Sequence, residues 1–131
     1  MLDRHAVHEF FVSYGRALAD GDLDGIAACY AYPAYVAGDA QSIAVAAPED
    51  VIGAFAGAAE RYRRSGVTRA VAETRGVEAL TDSLISADVR WSYTDDRGTE
   101  ARTESFRYLL RAGGGTVRIC AVAATADAAS R

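Results

Sequence analysis

Residues 83–111, SLISADVRWSYTDDRGTEARTESFRYLLR, decide the fold. Ile85, Ala87, Val89, Trp91 and Tyr93 alternate with Ser86, Asp88, Arg90 and Ser92, so the opening of this stretch reads as a strand with one apolar and one polar face. Asp95-Asp96-Arg97-Gly98 has the composition of a tight reversal, and alternation resumes from Glu100 to Arg111, with Phe106, Tyr108 and Leu110 on one side. Downstream, the Gly113-Gly114-Gly115 run leads into another strand, Thr116 to Ala124. These three strands predict an antiparallel meander. Upstream, Thr68 to Leu80 reads as a further strand with a break at Gly76.

The first half of the chain has helical periodicity instead. Asp3 is placed to cap a helix in which Val7, Phe10, Phe11, Tyr14 and Leu18 form one apolar stripe, ended by Asp20-Gly21. Asp22 caps a short second helix that turns Ile26, Ala27 and Tyr30 inward, and Pro33 prevents its continuation. Two short strands, Ala34 to Ala37 and Ser42 to Ala46, flank the Gly38-Asp39 turn. Pro48 opens a third helix that runs to Arg64, before Gly66, with Val51 or Ile52, Phe55, Ala59 and Tyr62 inward. Helices followed by strands mean an α+β fold, here a curved, mainly antiparallel sheet packed on three helices from the N-terminal half. No linker or repeat interrupts the chain, so residues 1–126 read as one domain and 127–131 as a short tail.

Charge excludes some partners. A net charge of −4 and a pI near 5.1, with all 14 positive charges on arginine and dispersed, offer no basic field for nucleic acid. The lack of lysine and the abundance of alanine fit a GC-rich bacterial genome. No apolar run approaches the ~20 residues that span a bilayer, and the N-terminus lacks the layout of a signal peptide, so a cytoplasmic protein is expected. Cys29 and Cys120 stand far apart in apolar segments and read as buried free thiols. His5 and His8, with Glu9, could share a helix face, but a third metal ligand is missing and a solvated helix start is the simpler reading. No phosphate loop, nucleophile elbow or zinc spacing occurs, so no cofactor or metal is expected.

Glu104 is the exception in the alternation, because it shares the face of Phe106, Tyr108 and Leu110. An inward carboxylate must be paired, hydrogen-bonded or held protonated. An ion pair with Arg102, two residues along the same face, is one solution; a functional acid is the other. Tyr14 raises the same choice, since its place on the apolar stripe carries a hydroxyl into the interior, either to a backbone carbonyl or towards a ligand oxygen.

The run Ser13-Tyr14 through Ala19-Asp20-Gly21-Asp22-Leu23-Asp24-Gly25-Ile26-Ala27-Ala28 resembles the opening of the ketosteroid isomerases, and Thr103-Glu104-Ser105-Phe106-Arg107-Tyr108 is similar to a later strand of that family. With the order of elements, the likeness extends over nearly the whole chain to the wider nuclear transport factor 2-like, or cystatin-like, class. It implies a cone-shaped fold with an apolar pocket lined here by Tyr14, Tyr30, Phe55, Trp91, Phe106 and Tyr108. It also implies an oxygen-binding pair, Tyr14 with Glu104 in the place of a protonated aspartic acid. The family's base is matched by Gly38, and the adjacent Asp39 is a candidate only if a bulge turns it inward. Two functions follow as expectations: proton transfer on a small cyclic or polyketide-like molecule, or a non-catalytic ligand-binding or dimerisation module. A homodimer through the outer sheet face, involving Arg90, Ser92, Ser105 and Arg107, is expected from the class.

Overall fold

Local capping fixes the N-terminal half. In the computed structural model, which describes residues 3–126, the Asp3 carboxylate accepts the Ala6 amide at 2.9 Å and starts helix α1 (Arg4–Asp20). Gly21, at φ 71°, returns its amide to the Ala17 carbonyl and ends that helix in the left-handed conformation that glycine adopts without strain. Asp22 then caps α2 (Leu23–Ala28) through the Gly25 amide at 3.0 Å. Strands β1 (Tyr30–Ala37) and β2 (Ser42–Val45) follow, then helices α3 (Pro48–Phe55) and α4 (Ala58–Arg64). The chain finishes with β3 (Arg69–Ala79), β4 (Leu84–Thr94), β5 (Glu100–Gly113) and β6 (Thr116–Thr125).

The six strands form one sheet in the order β2-β1-β6-β5-β4-β3. The meander β3 to β6 is antiparallel, and β1 joins it in parallel alongside β6, which gives the mixed α+β sheet expected. The register sets Trp91 opposite Glu104, Val89 opposite Phe106 and Ala87 opposite Tyr108, so the inner faces of β4 and β5 bring these side chains together. Helix α1 lies against that face through Val7, Phe11, Tyr14, Gly15 and Leu18. At Gly15 a Cβ would stand 2.6 Å from the Ala70 carbonyl oxygen and 2.8 Å from the Trp91 ring, so this approach is open only to glycine.

Three expectations need correction. Tyr30 does not belong to the second helix: it opens β1, which begins four residues before the expected Ala34. Pro33 lies inside that strand, where the pairing with β6 shifts between Tyr30 and Tyr35; a residue without an N–H suits such an irregularity. The third helix is two, because Gly57 takes φ 80° between Phe55 and Ala58. The break at Gly76 is present as a register shift between Thr74 and Gly76.

On the outer face the charges of β4 and β5 satisfy one another. Arg107 pairs with Asp88 at 2.8 Å, Arg90 with Glu100 at 3.4 Å, and Ser92 donates to Glu100 at 2.6 Å. Ser105, the fourth residue expected at an interface, has a buried hydroxyl oxygen with no hydrogen-bond partner among the described residues. No described helix is long and apolar enough to cross a membrane. The expected tail, 127–131, lies outside the described residues.

Candidate small-molecule site

Between the helices and the inner face of the sheet is a cavity of about 200 Å³ whose lining is contributed by α1, α3, α4 and all strands except β3. Its floor is aromatic. Tyr14 from α1 and Tyr30 from β1 are 3% and 4% exposed, and their hydroxyls are 2.7 Å apart. Beside them the indole Nε1–H of Trp91 donates to the Tyr108 hydroxyl oxygen at 2.8 Å. The ring of Tyr14 stands within 6.5 Å of those of Tyr30, Trp91 and Tyr108, in tilted or edge-on arrangements that favour aromatic clusters. Burial keeps these hydroxyls protonated: it is the main cause that pushes Tyr30 up to about 12 and holds Tyr14 and Tyr108 well above the ordinary 10.0. The floor therefore consists of neutral hydroxyls and an indole, all able to donate.

The acidic part of the lining is built differently. Glu104 is the one carboxylate in the lining, and the hydroxyl of Tyr93, its neighbour across the strand pair, interacts with it. Tyr93 is held well above its ordinary value by burial first, then by Tyr62 and by Glu104. Tyr62 from α4 is raised by burial and next by Glu104, and its ring packs against that of Tyr93 with centroids 5.4 Å apart. The expected ion pair is not made. Arg102 instead lays its guanidinium over the rings of Tyr93, at 4.8 Å, and Tyr62, at 5.7 Å, and among the described residues no arginine ion-pairs with Glu104.

The structure brings Tyr14, Tyr30, Phe55, Trp91, Glu104, Phe106 and Tyr108 to one cavity. It leaves Asp39 outside. Strand β1 stops at Ala37, the Gly38 amide closes a turn onto the Gln41 carbonyl at 2.9 Å, and Asp39 is exposed in that turn rather than restored inward by a bulge. Asp39 therefore loses its place as a candidate base. Tyr14 does not bond the backbone carbonyl that was one of its two expected partners: its hydroxyl meets that of Tyr30. His5 faces Glu9 at 3.9 Å and His8 meets the Thr74 hydroxyl at 3.0 Å, away from the cavity. Both cysteines are half-buried thiols; burial pushes Cys29 up to about 11. Tyr62 and Tyr93 were readable as inward residues, but nothing in a sequence signals that they line the same cavity as Glu104.

With this geometry in hand, a family model described as NTF2-like protein (DUF6841) matches residues 4–127. The chain belongs to this NTF2-like family. No curated protein sequence matches it. Solved structures similar to this NTF2-like chain include an NTF2-like protein of unknown function from Shewanella oneidensis, with a TM-score of 0.70 at 13% identity over 92% of this chain and 96% of that one. An NTF2-like protein with a cystatin-like fold from Novosphingobium aromaticivorans has a TM-score of 0.70 at 14% identity, covering 97% and 85%. Aln2 from a Streptomyces species has a TM-score of 0.71 at 18% identity, covering 99% and 96%. At such identities the likeness concerns the fold alone.

Proposed function

We propose that this NTF2-like protein takes a small ring compound into the cavity and moves a proton on it, with Glu104 as the base. The observation that supports this is a lone carboxylate, unpaired by any described cation, in the wall of an otherwise apolar and aromatic cavity. A half-buried charge with no ion partner adds little to the fold, which fits a residue kept for a ligand. Size limits the ligand. A cavity of about 150 Å³ holds benzene, and drug-sized pockets start near 300 Å³, so about 200 Å³ suits one or two fused rings rather than a steroid.

In the simplest step consistent with these residues, Glu104 takes a proton from the carbon next to a carbonyl and the electron pair of that C–H bond moves onto the carbonyl oxygen. Neutral hydroxyls on the floor stabilise the enolate, and the half-buried Glu104 carboxyl, after swapping its proton with solvent, gives a proton back to the carbon. Each well-aimed donor in such a site is worth ~3 kcal/mol of barrier. The test is exchange of the methyl protons of acetophenone for deuterium in D2O, followed by NMR. Native protein is expected to exceed Glu104→Gln by about a hundredfold or more. Equal rates with both proteins, while acetophenone still binds, would replace catalysis with the non-catalytic ligand-binding reading.

Dimerisation through the outer face is a separate proposal. Tyr35 is 52% exposed there and aligns with Ala121 and Leu109 across β1, β6 and β5, while the nearby charges are already paired within the chain and would not enter an interface uncompensated. Sedimentation equilibrium checks it: a dimer is expected, converted to monomer by Tyr35→Glu, and a native monomer removes this proposal without touching the cavity.

A further inference from the structure

Counting protons on the cavity floor gives Tyr108 a role that its sequence position did not suggest. Tyr14, Tyr30 and Tyr108 each bring one O–H, and Trp91 brings one N–H. One hydroxyl proton is used between Tyr14 and Tyr30, whichever of the two donates. The Trp91 N–H is used on the Tyr108 oxygen. Two hydroxyl protons then have no protein acceptor among the described residues: the one on Tyr108, and the one on whichever member of the Tyr14–Tyr30 pair accepts. Trp91 is 1% exposed and Tyr108 3%, so neither side chain has room to turn its polar atom to bulk solvent. Buried donors without acceptors are unfavourable, and two that converge in one small cavity fit a single oxygen with two lone pairs.

The geometry assigns Tyr108, oriented by the Trp91 N–H, as a hydrogen-bond donor to a carbonyl or enolate oxygen of the ligand, with the Tyr14–Tyr30 pair as the second donor. Trp91 acts here as a positioning residue. By filling one lone-pair direction of the Tyr108 oxygen, it makes that hydroxyl a donor to the cavity and fixes its direction. Two roles are then separate: the oxygen is held by two hydroxyls, that of Tyr108 and one from the Tyr14–Tyr30 pair, and Glu104, in the same lining, acts on a C–H or N–H of the same molecule. The ligand class is thus a compound of one or two rings with an acceptor oxygen at its buried end and an acidic hydrogen towards Glu104. The inference rests on the proposal that the cavity binds a small molecule.

The test compares acetophenone with cumene, a hydrocarbon of similar size and no oxygen, in the native protein and in Tyr108→Phe. Binding is measured by calorimetry. Tyr108→Phe is expected to weaken acetophenone about tenfold and to leave cumene unchanged, the cumene affinity also showing that the variant keeps its cavity. Infrared difference spectra give a second reading that needs no stability argument: the carbonyl band of bound acetophenone should lie below its position in an alkane, and Tyr108→Phe should move it back towards that position. Equal effects of Tyr108→Phe on both probes, or an unshifted band in the native protein, would overturn the donor assignment while the cavity keeps its ligand. If neither probe binds native protein, the binding proposal itself fails and this inference with it.

Discussion

Glu104 interacts with the hydroxyl of Tyr93 and lines an apolar cavity, and the guanidinium of Arg102, two residues along the strand, is engaged by two aromatic rings. A carboxylate in that position stabilises little, and under the proposed function it serves as the base. Glu104→Gln keeps an acceptor for Tyr93 and removes the charge. Its melting temperature is expected to equal or exceed that of the native protein, with a gain of no more than about 1 kcal/mol because the group is only half-buried. A loss above about 1 kcal/mol, read from thermal or urea unfolding, would mean that Glu104 is held by a structural ion pair after all. Glu104 was legible in the sequence because one acidic residue interrupts a run of apolar ones on a strand face. Its surroundings were not. Whether Arg102 turns to the carboxylate or to the rings depends on where Tyr62 of α4 ends up, and periodicity carries no such information. Asp39 was misjudged for a related reason: a turn residue's direction is set by where the strand stops, and β1 stops at Ala37.

At the scale of elements, α1 owes its seat to Gly15. Gly15→Ala forces a Cβ against the Ala70 backbone oxygen at 2.6 Å and the Trp91 ring, and should lower stability by about 1–3 kcal/mol, with Trp91 fluorescence shifted because the ring must move. Gly53→Ala is the matched control: it lies in α3 with nothing within 4 Å of an added Cβ, and should raise stability by about 1 kcal/mol from helix propensity alone. Unfolding in urea separates the two, and equal effects would contradict the packing described. The caps at Asp3 and Asp22 and the meander from Leu84 to Thr125 were readable because each follows from local chemistry or strict alternation. The division of the third helix was not, because Gly57 in an alanine-rich run gives the same helical pattern until its φ is known. Nor was the length of β1: Tyr30 and Tyr32 flank alanine, and only pairing with β6, more than 80 residues away, makes that segment a strand.

For the whole molecule, the aromatic core couples stability to alkaline pH. Tyr30 is raised to about 12, and Tyr14, Tyr93 and Tyr108 are raised as well, each chiefly by burial. A tyrosine whose pKa is higher in the folded than in the unfolded chain keeps its full contribution below the unfolded value near 10 and loses it as pH rises towards the folded value. Each such group removes about 1.4 kcal/mol per pH unit in that window. Urea midpoints should therefore be flat from about pH 7 to 9 and fall steeply between about pH 10 and 11; a flat curve throughout would mean that the hydroxyls reach solvent.

The central claim, that this NTF2-like fold encloses a ligand site for one or two rings, is tested most directly through Trp91. It is the sequence's one tryptophan and forms part of the cavity wall, so its emission reports occupancy without a label. Titration with toluene, naphthalene and a four-ring steroid should give saturable changes in Trp91 emission for the first two and none for the steroid. No change with either small ring, or saturation by the steroid alone, would contradict the account.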